Sequence, residues 1–199
     1  MYIHKQNINL TIFYTASYFG KKTYQKQYDL VRRTIESFDE LTLISPEAGN
    51  YMDALDQQDK QNITDQQLLH YEAIKAGIRK ADATIIEVSH EDLQLGHEVS
   101  LALAQKKPIL CLSINEDFSK RIHNDYFFGA KYTESNVKPI IQDFLAKVRE
   151  RSLSKRFNLF LYPEQIEYLE KVSKEHKMNV SEYIRRLINL DKKAAEHKG

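Results

Sequence analysis

Two carboxylates, Asp92 and Glu98, stand out in Ser89-His90-Glu91-Asp92-Leu93-Gln94-Leu95-Gly96-His97-Glu98, directly after the apolar run Ala83-Thr84-Ile85-Ile86-Glu87-Val88. Asp92 lies in the loop that closes the run, and Glu98 falls in the first turn of a helix expected from about Leu95 to Lys106. A carboxylate so placed can act as a nucleophile or stabilise positive charge building on a reacting carbon. The helix macrodipole favours an anion in a first turn and helps keep Glu98 ionised. The same placement serves helix stability alone, so the two residues by themselves leave both readings open.

Other chemistries find less support. The single cysteine, Cys111, sits inside Ile109-Leu110-Cys111-Leu112, where a buried strand thiol is the better reading than a reactive nucleophile. His70, His90 and His97 show no metal-site spacing, so no metal is expected. Neither a Gly-x-Gly-x-x-Gly turn nor a Walker loop is present, which argues against a dinucleotide oxidoreductase, and no cofactor is expected. Tyr14 and Tyr24 read as core residues, while Tyr18 is free to stack on a ligand.

The elements that must position the carboxylates follow from periodicity. Leu10 to Ser17, Leu41 to Ser45, Ala83 to Val88 and Pro108 to Leu112 read as four buried strands. Helical spacing marks Lys22 to Ser37, and a second helix runs to about Lys80 after a Thr64-Asp65-Gln66-Gln67 capping box. Val137 to Arg149 reads as the last helix of this part, and the polar stretch from Pro46 to Asn62 as a long loop. Strands alternating with helices imply parallel βαβ units, an α/β Rossmann-like (flavodoxin-like) sheet flanked by helices. Ligands sit beyond the C-terminal ends of such strands, which points to the loops Ser17 to Lys22 and Ser89 to Gly96.

The 199 residues suffice for one ordinary domain plus a small appendage. Their 42% hydrophobic content, with 6 Gly and 4 Pro, is that of a packed globule. No apolar stretch reaches the roughly 20 residues that cross a bilayer, and Met1 to Gln6 lacks a signal-peptide core, so a cytoplasmic location without membrane contact is expected. Residues 151–199 hold eleven Lys or Arg against seven Asp or Glu, a surplus of +4 that leaves −3 for the remainder of a +1 chain. The division is therefore an α/β domain over residues 1–150 and a basic module over 151–199, joined by a polar hinge at Arg151 to Lys155.

Glu87 to Ser100, continuing through Ala102-Leu103-Ala104 to Lys107-Pro108-Ile109-Leu110, resembles the signature of nucleoside 2-deoxyribosyltransferases and the related deoxynucleotide N-glycosidases. The stretch Phe13-Tyr14-Thr15-Ala16-Ser17-Tyr18-Phe19-Gly20 resembles that family's first strand and small-residue loop, and the resemblance spans residues of about 8–150. It implies that Glu98 is the nucleophile that captures the sugar of an N-glycoside, which then passes to a second base or to water. It also implies that Asp92 receives the sugar 5′-hydroxyl, that Ser17, Gly20 and Gly96 bind substrate, and that Gly96 lets backbone approach the ligand. A carboxylate at Asp92 favours a free nucleoside over a nucleotide, because two anions in a low-dielectric pocket repel, although Lys21 and Lys22 are able to attract phosphate. Ile74 departs from the pattern, standing where the family has an aspartate that engages the base. Glu72, Glu91 and His97 are the nameable substitutes as proton source.

In the last 49 residues, Arg156 to Leu161 alternates strictly, Pro163 opens one helix, and Ser181 is the expected N-cap of another. The segment from Arg156 to Ile188 resembles ribbon-helix-helix proteins. That resemblance implies a homo-oligomer built through residues 155–190, with Arg156 and Asn158 in the outward set that reads DNA. Phe160 departs from that set, and a dimerisation clip without DNA contact is an equal reading. Two further functions stay open: a DNA-binding regulator whose α/β domain senses a nucleoside-like ligand, and a non-catalytic oligomeric module.

Overall fold

Leu10–Ala16 (β1), Leu41–Ile44 (β2), Ala83–Glu87 (β3), Ile109–Ser113 (β4) and Phe127–Lys131 (β5) are short runs dominated by β-branched, aromatic and other apolar residues. In the computed structural model, which describes residues 9–152, 159–176 and 178–196, all five pair in parallel. Parallel neighbours need crossover connections: Lys21–Glu36 (α1), the short Gln57–Asn62 (α2) with Gln66–Lys80 (α3), and Leu93–Ala104 (α4) lie on those leading to β4, a 3₁₀ turn at Phe118–Lys120 lies between β4 and β5, and Val137–Ser152 (α5) follows β5. The strand order β2-β1-β3-β4-β5 is that of the doubly wound flavodoxin-like sheet. Its winding reverses between β1 and β3, so the two loops singled out in the sequence leave neighbouring strands at the switch point.

Both faces of the sheet are covered, which is why β3 and β4 are buried at every position. Adjacent residues of β1 serve opposite layers. Tyr14 packs with Val31, Ile35, Ile141 and Leu145 under α1 and α5, whereas Phe13 packs with Ile74, Ile78 and Val99 under α3 and α4. A Cβ at Gly77 would stand 2.5 Å from the Phe13 ring, so glycine there lets α3 lie close on β1. Cys111 is 3% exposed, and burial pushes its thiol up to about 12, as suits a packing residue.

Four differences from the sequence expectations have local causes. A fifth strand, β5, closes the sheet at the β4 edge; its Phe-Phe-Gly-Ala-Lys run is only half-buried and has no alternation. The segment 46–62 is two 3₁₀ turns followed by α2, because Ser45 caps the first turn and Gly49 takes a left-handed φ of 77° at its end. Asp65, one residue later than expected, caps α3 by accepting from the backbone N–H of Gln67 and Leu68. Asp92 caps α4 by accepting from the backbone N–H of Leu95 at 2.8 Å, so that helix starts at Leu93 and Glu98 is its sixth residue, in the second turn.

Residues 155–199 form a second compact unit. Pro163–Glu175 (α6) begins with proline, whose missing N–H suits a first turn, and Gln165 Oε1 accepts from the backbone N–H of Tyr162. Val180–Glu196 (α7) opens on a reciprocal box. Asn179 Oδ1 accepts from the Glu182 backbone at 2.9 Å, and Glu182 Oε2 from the Asn179 backbone at 3.0 Å, so Asn179, not Ser181, is the cap. Of the strand expected over 156–161, residues 159–161 take no regular secondary structure, and Arg156 and Asn158 lie outside the described residues. No helix among the described residues is long and apolar enough to cross a membrane.

Candidate active site

The β1–α1 loop and the β3–α4 loop are tied together at the switch point. Ser17, 1% exposed, donates its hydroxyl to Asp92 Oδ2, and the same oxygen of Ser17 accepts from the backbone N–H of Gly20 at 3.3 Å. Gly20 is required by packing, since a Cβ there would meet the Tyr28 hydroxyl at 2.1 Å and His90 Cβ at 2.6 Å. Asp92 thus uses one oxygen to cap α4 and the other to hold the neighbouring loop. Each carboxylate oxygen retains a lone pair for a further donor.

Beneath this latch, Glu87 ends β3 fully buried. It accepts from the Ser89 hydroxyl, from the Ser89 backbone N–H at 3.2 Å and from the Tyr132 hydroxyl at 3.0 Å. Ser89 in turn accepts from the Ile114 backbone N–H at 3.0 Å and, through its carbonyl, from Asn115 Nδ2 at 2.9 Å. The carboxyl of Glu87 is raised above its ordinary value by burial, which outweighs the lowering effect of the donors around it. This cluster anchors the start of the loop that carries Asp92.

Glu98 projects from α4 and is 1% exposed. Gln94 Nε2 donates to its Oε1 at 3.0 Å, and Thr15 of β1 stands near enough for its hydroxyl to favour the charged form. Its Oε2 is buried with no partner. Burial drives the carboxyl pKa up to about 7, against the lowering effect of Gln94 and Thr15, with the Asp92 charge adding a smaller rise. Burial therefore outweighs the pull of the helix dipole towards the ionised form. The dipole is worth about 0.3–1 kcal/mol and fades beyond the first turn, whereas withdrawing a carboxylate from water is worth several kcal/mol.

Glu98 forms part of the wall of a cavity of about 460 Å³ between α3 and α4. Ile74, His70 and Tyr71 face it from α3, and Gln94 and His97 from α4. A second, more open hollow of about 550 Å³ is lined by Phe19, Asp92 and Leu93 and shares Gln94 and His97 with the first. The two carboxylates thus belong to adjoining spaces. Phe19 and Leu93 are 74% and 91% exposed and form apolar lips. Gly96 lines neither hollow, and a Cβ on it would meet no protein atom within 4 Å, so the fold itself sets no requirement for glycine there.

Comparison with protein-family models gives no match, and neither does comparison with curated proteins. Among solved structures, one similar chain is a conserved protein from Enterococcus faecalis, 14% identical, with a TM-score of 0.41 over 71% of this chain and 98% of that one.

The remaining candidates divide clearly. Glu72 pairs with Lys75 at 3.2 Å on the surface of α3, Glu91 is exposed, and Lys21 is engaged by Glu47 at 3.0 Å. His97 stacks on Tyr71, with Nε2 3.3 Å from the Tyr71 hydroxyl. Sequence reasoning missed His70, whose Nδ1 lies 2.9 Å from the Tyr51 hydroxyl, and it missed Glu87. A signal for His70 exists only in hindsight of the fold: it sits four residues before Ile74, hence on the same helix face. Among the described residues no group of three or more His, Cys, Asp or Glu is arranged to hold a metal ion.

Proposed function

We propose that the α/β unit is an N-glycosidic enzyme acting on a free nucleoside or deoxynucleoside, with Glu98 as the nucleophile that receives the sugar. The observation that supports this reading most is the buried Glu98 carboxyl, with one unpartnered oxygen, in a residue that lines a ligand-sized cavity between α3 and α4. A buried carboxylate with one oxygen left without a donor is a poor stabilising device and a reactive group. It can stabilise positive charge on a sugar as the glycosidic bond lengthens, then bond to the anomeric carbon. Water or a second base releases the sugar afterwards. Asp92, in the adjoining hollow, is within the same site to accept a sugar hydroxyl, and a phosphate there would face its negative charge.

The test is a panel of nucleosides and nucleotides assayed for free base, with Glu98→Ala alongside. Base release from at least one nucleoside is expected, falling by roughly a thousand-fold or more in the variant. Because the nucleophile must be ionised, kcat/KM for a substrate whose base leaves without needing a proton should rise as pH increases through about 7. No release from any member of the panel would contradict the assignment.

We further infer that residues 155–190 pair with a second copy of this chain. Among the described residues of that unit, Leu169 and Tyr183 are the buried large apolar side chains, whereas Phe160, Ile166, Ile188 and Leu190 are exposed. Two helices with so small a core are not stable alone. Sedimentation of the full chain should report a dimer or larger assembly that Ile188→Glu dissociates; a monomer at micromolar concentration would contradict the pairing.

A further inference from the structure

Breaking a C–N glycosidic bond leaves the bonding pair on a ring nitrogen of the base, and an unprotonated base departs as an unfavourable anion. A proton donor on the base side of the cavity lowers that barrier. Ile74 supplies none. Glutamines are not acids, and Glu98 must give up its own proton to act as nucleophile. The proton carriers in the cavity wall that remain are His70, Tyr71 and His97. Tyr71 and His97 engage each other through the phenol hydroxyl and Nε2, and both are exposed to solvent. His70 differs in two respects: it is half-buried, and its Nδ1 is held by Tyr51 at 2.9 Å, which leaves Nε2 as the ring nitrogen with no hydrogen-bond partner among the described residues.

Resting on the N-glycosidic reading of Glu98, we propose that His70, oriented by Tyr51, is the catalytic acid that protonates the departing base. In the first step the glycosidic bond breaks and its electron pair stays on the base. A Glu98 carboxylate oxygen bonds to the anomeric carbon, and the imidazolium Nε2 proton passes to a ring nitrogen of the base, which leaves neutral. In the second step the neutral imidazole takes a proton from the incoming base or water as the sugar is released, which regenerates both groups. Tyr51 is a positioning residue: its edge-to-face contact and hydrogen bond fix the ring plane and leave Nε2 as the working nitrogen. Burial lowers the His70 pKa below its ordinary value, which makes the imidazolium a stronger acid. The titratable groups around it are Tyr51 from the 3₁₀ turn, Tyr71 from α3, and His97 and Glu98 from α4.

The decisive comparison uses two substrates on the full-length protein. One is 2′-deoxyinosine; the other is its analogue methylated on the imidazole-ring nitrogen, whose base is already cationic and leaves without a proton. His70→Asn should lower kcat/KM for the ordinary substrate by about a hundred-fold or more, leave the methylated one within about three-fold, and abolish the alkaline fall of the pH profile. Tyr51→Phe should show the same pattern at roughly a tenth of the size, with kcat affected more than KM. Glu98→Ala should lose both substrates. Equal losses on the two substrates in His70→Asn, or no loss on either, would overturn the assignment of His70 and leave Glu98 untouched. A wild type inert on both would overturn the N-glycosidic reading, and the role of His70 with it.

Discussion

Glu98→Gln is expected to abolish base release while raising the stability of the protein at neutral and alkaline pH. The native carboxyl keeps its proton up to about pH 7, whereas in the unfolded chain it loses it near the ordinary 4.5. Between those values the native state binds more protons, so stability falls as pH rises from about 4.5 through about 7 and stays lower above. The full difference corresponds to roughly 3 kcal/mol, at 1.36 kcal/mol for each factor of ten in the ionisation constant. Glutamine keeps the shape and an oxygen for Gln94, but places an amide donor where Oε2 had no partner, which offsets about 1–2 kcal/mol of the gain. The net expectation above pH 7 is a gain of about 1–2 kcal/mol, or a melting temperature several degrees higher. Below about pH 4.5 only the amide's cost remains, and the variant should be about 1–2 kcal/mol less stable than wild type. Thermal unfolding of both proteins from pH 4 to 9 checks this, and a Glu98→Gln protein less stable than wild type at every pH would show that Glu98 is a structural residue.

Glu87→Ala should be the most destabilising single change near the site. The substitution leaves the Ser89 hydroxyl, the Ser89 backbone N–H and the Tyr132 hydroxyl without their acceptor, all in a buried setting, and opens a void at the end of β3. Each orphaned donor is worth about 1–3 kcal/mol, and relief of the desolvated carboxyl returns part of that, so a loss of about 3–5 kcal/mol is expected. Glu87→Gln, which keeps one acceptor oxygen, should lose about 1–2 kcal/mol. Chemical denaturation at pH 6 measures both. Ser89 also holds Ile114 and Asn115, so loosening it frees the loop that presents Asp92, and the alanine variant should raise KM as well. Equal stability of the alanine and glutamine variants would mean that the hydrogen bonds to Glu87 contribute nothing net.

The parallel α/β sheet was legible because its central strands are nearly continuous apolar runs, and Ala83-Thr84-Ile85-Ile86 can hardly be anything else once helices flank it. β5 was not legible. Phe127 and Phe128 precede Gly129, whose Cβ would stand 2.4 Å from the Ser119 backbone, so that strand owes its form to a close tertiary contact and not to its own pattern. The two carboxylates Asp92 and Glu98 were visible as residue types, and the structure places them around adjoining hollows. Their physical states were not visible. The Asp92 cap starts α4 two residues earlier than expected, which puts Glu98 in the second turn, and the side chain lies on the buried face of the helix. His70 illustrates the opposite limit: nothing in Leu69-His70-Tyr71 distinguishes it from a surface histidine until Tyr51, nineteen residues earlier, is folded against it. In the C-terminal unit the helices were legible from their spacing.

Covalent capture of the sugar by the Glu98 carboxyl is directly measurable. Wild-type protein mixed with a cleavable deoxynucleoside, quenched in acid within one turnover and measured by intact mass, should carry one additional deoxyribosyl unit, mapped by peptide fragmentation to Glu98. A Glu98→Gln protein that releases base at the wild-type rate would contradict the account outright.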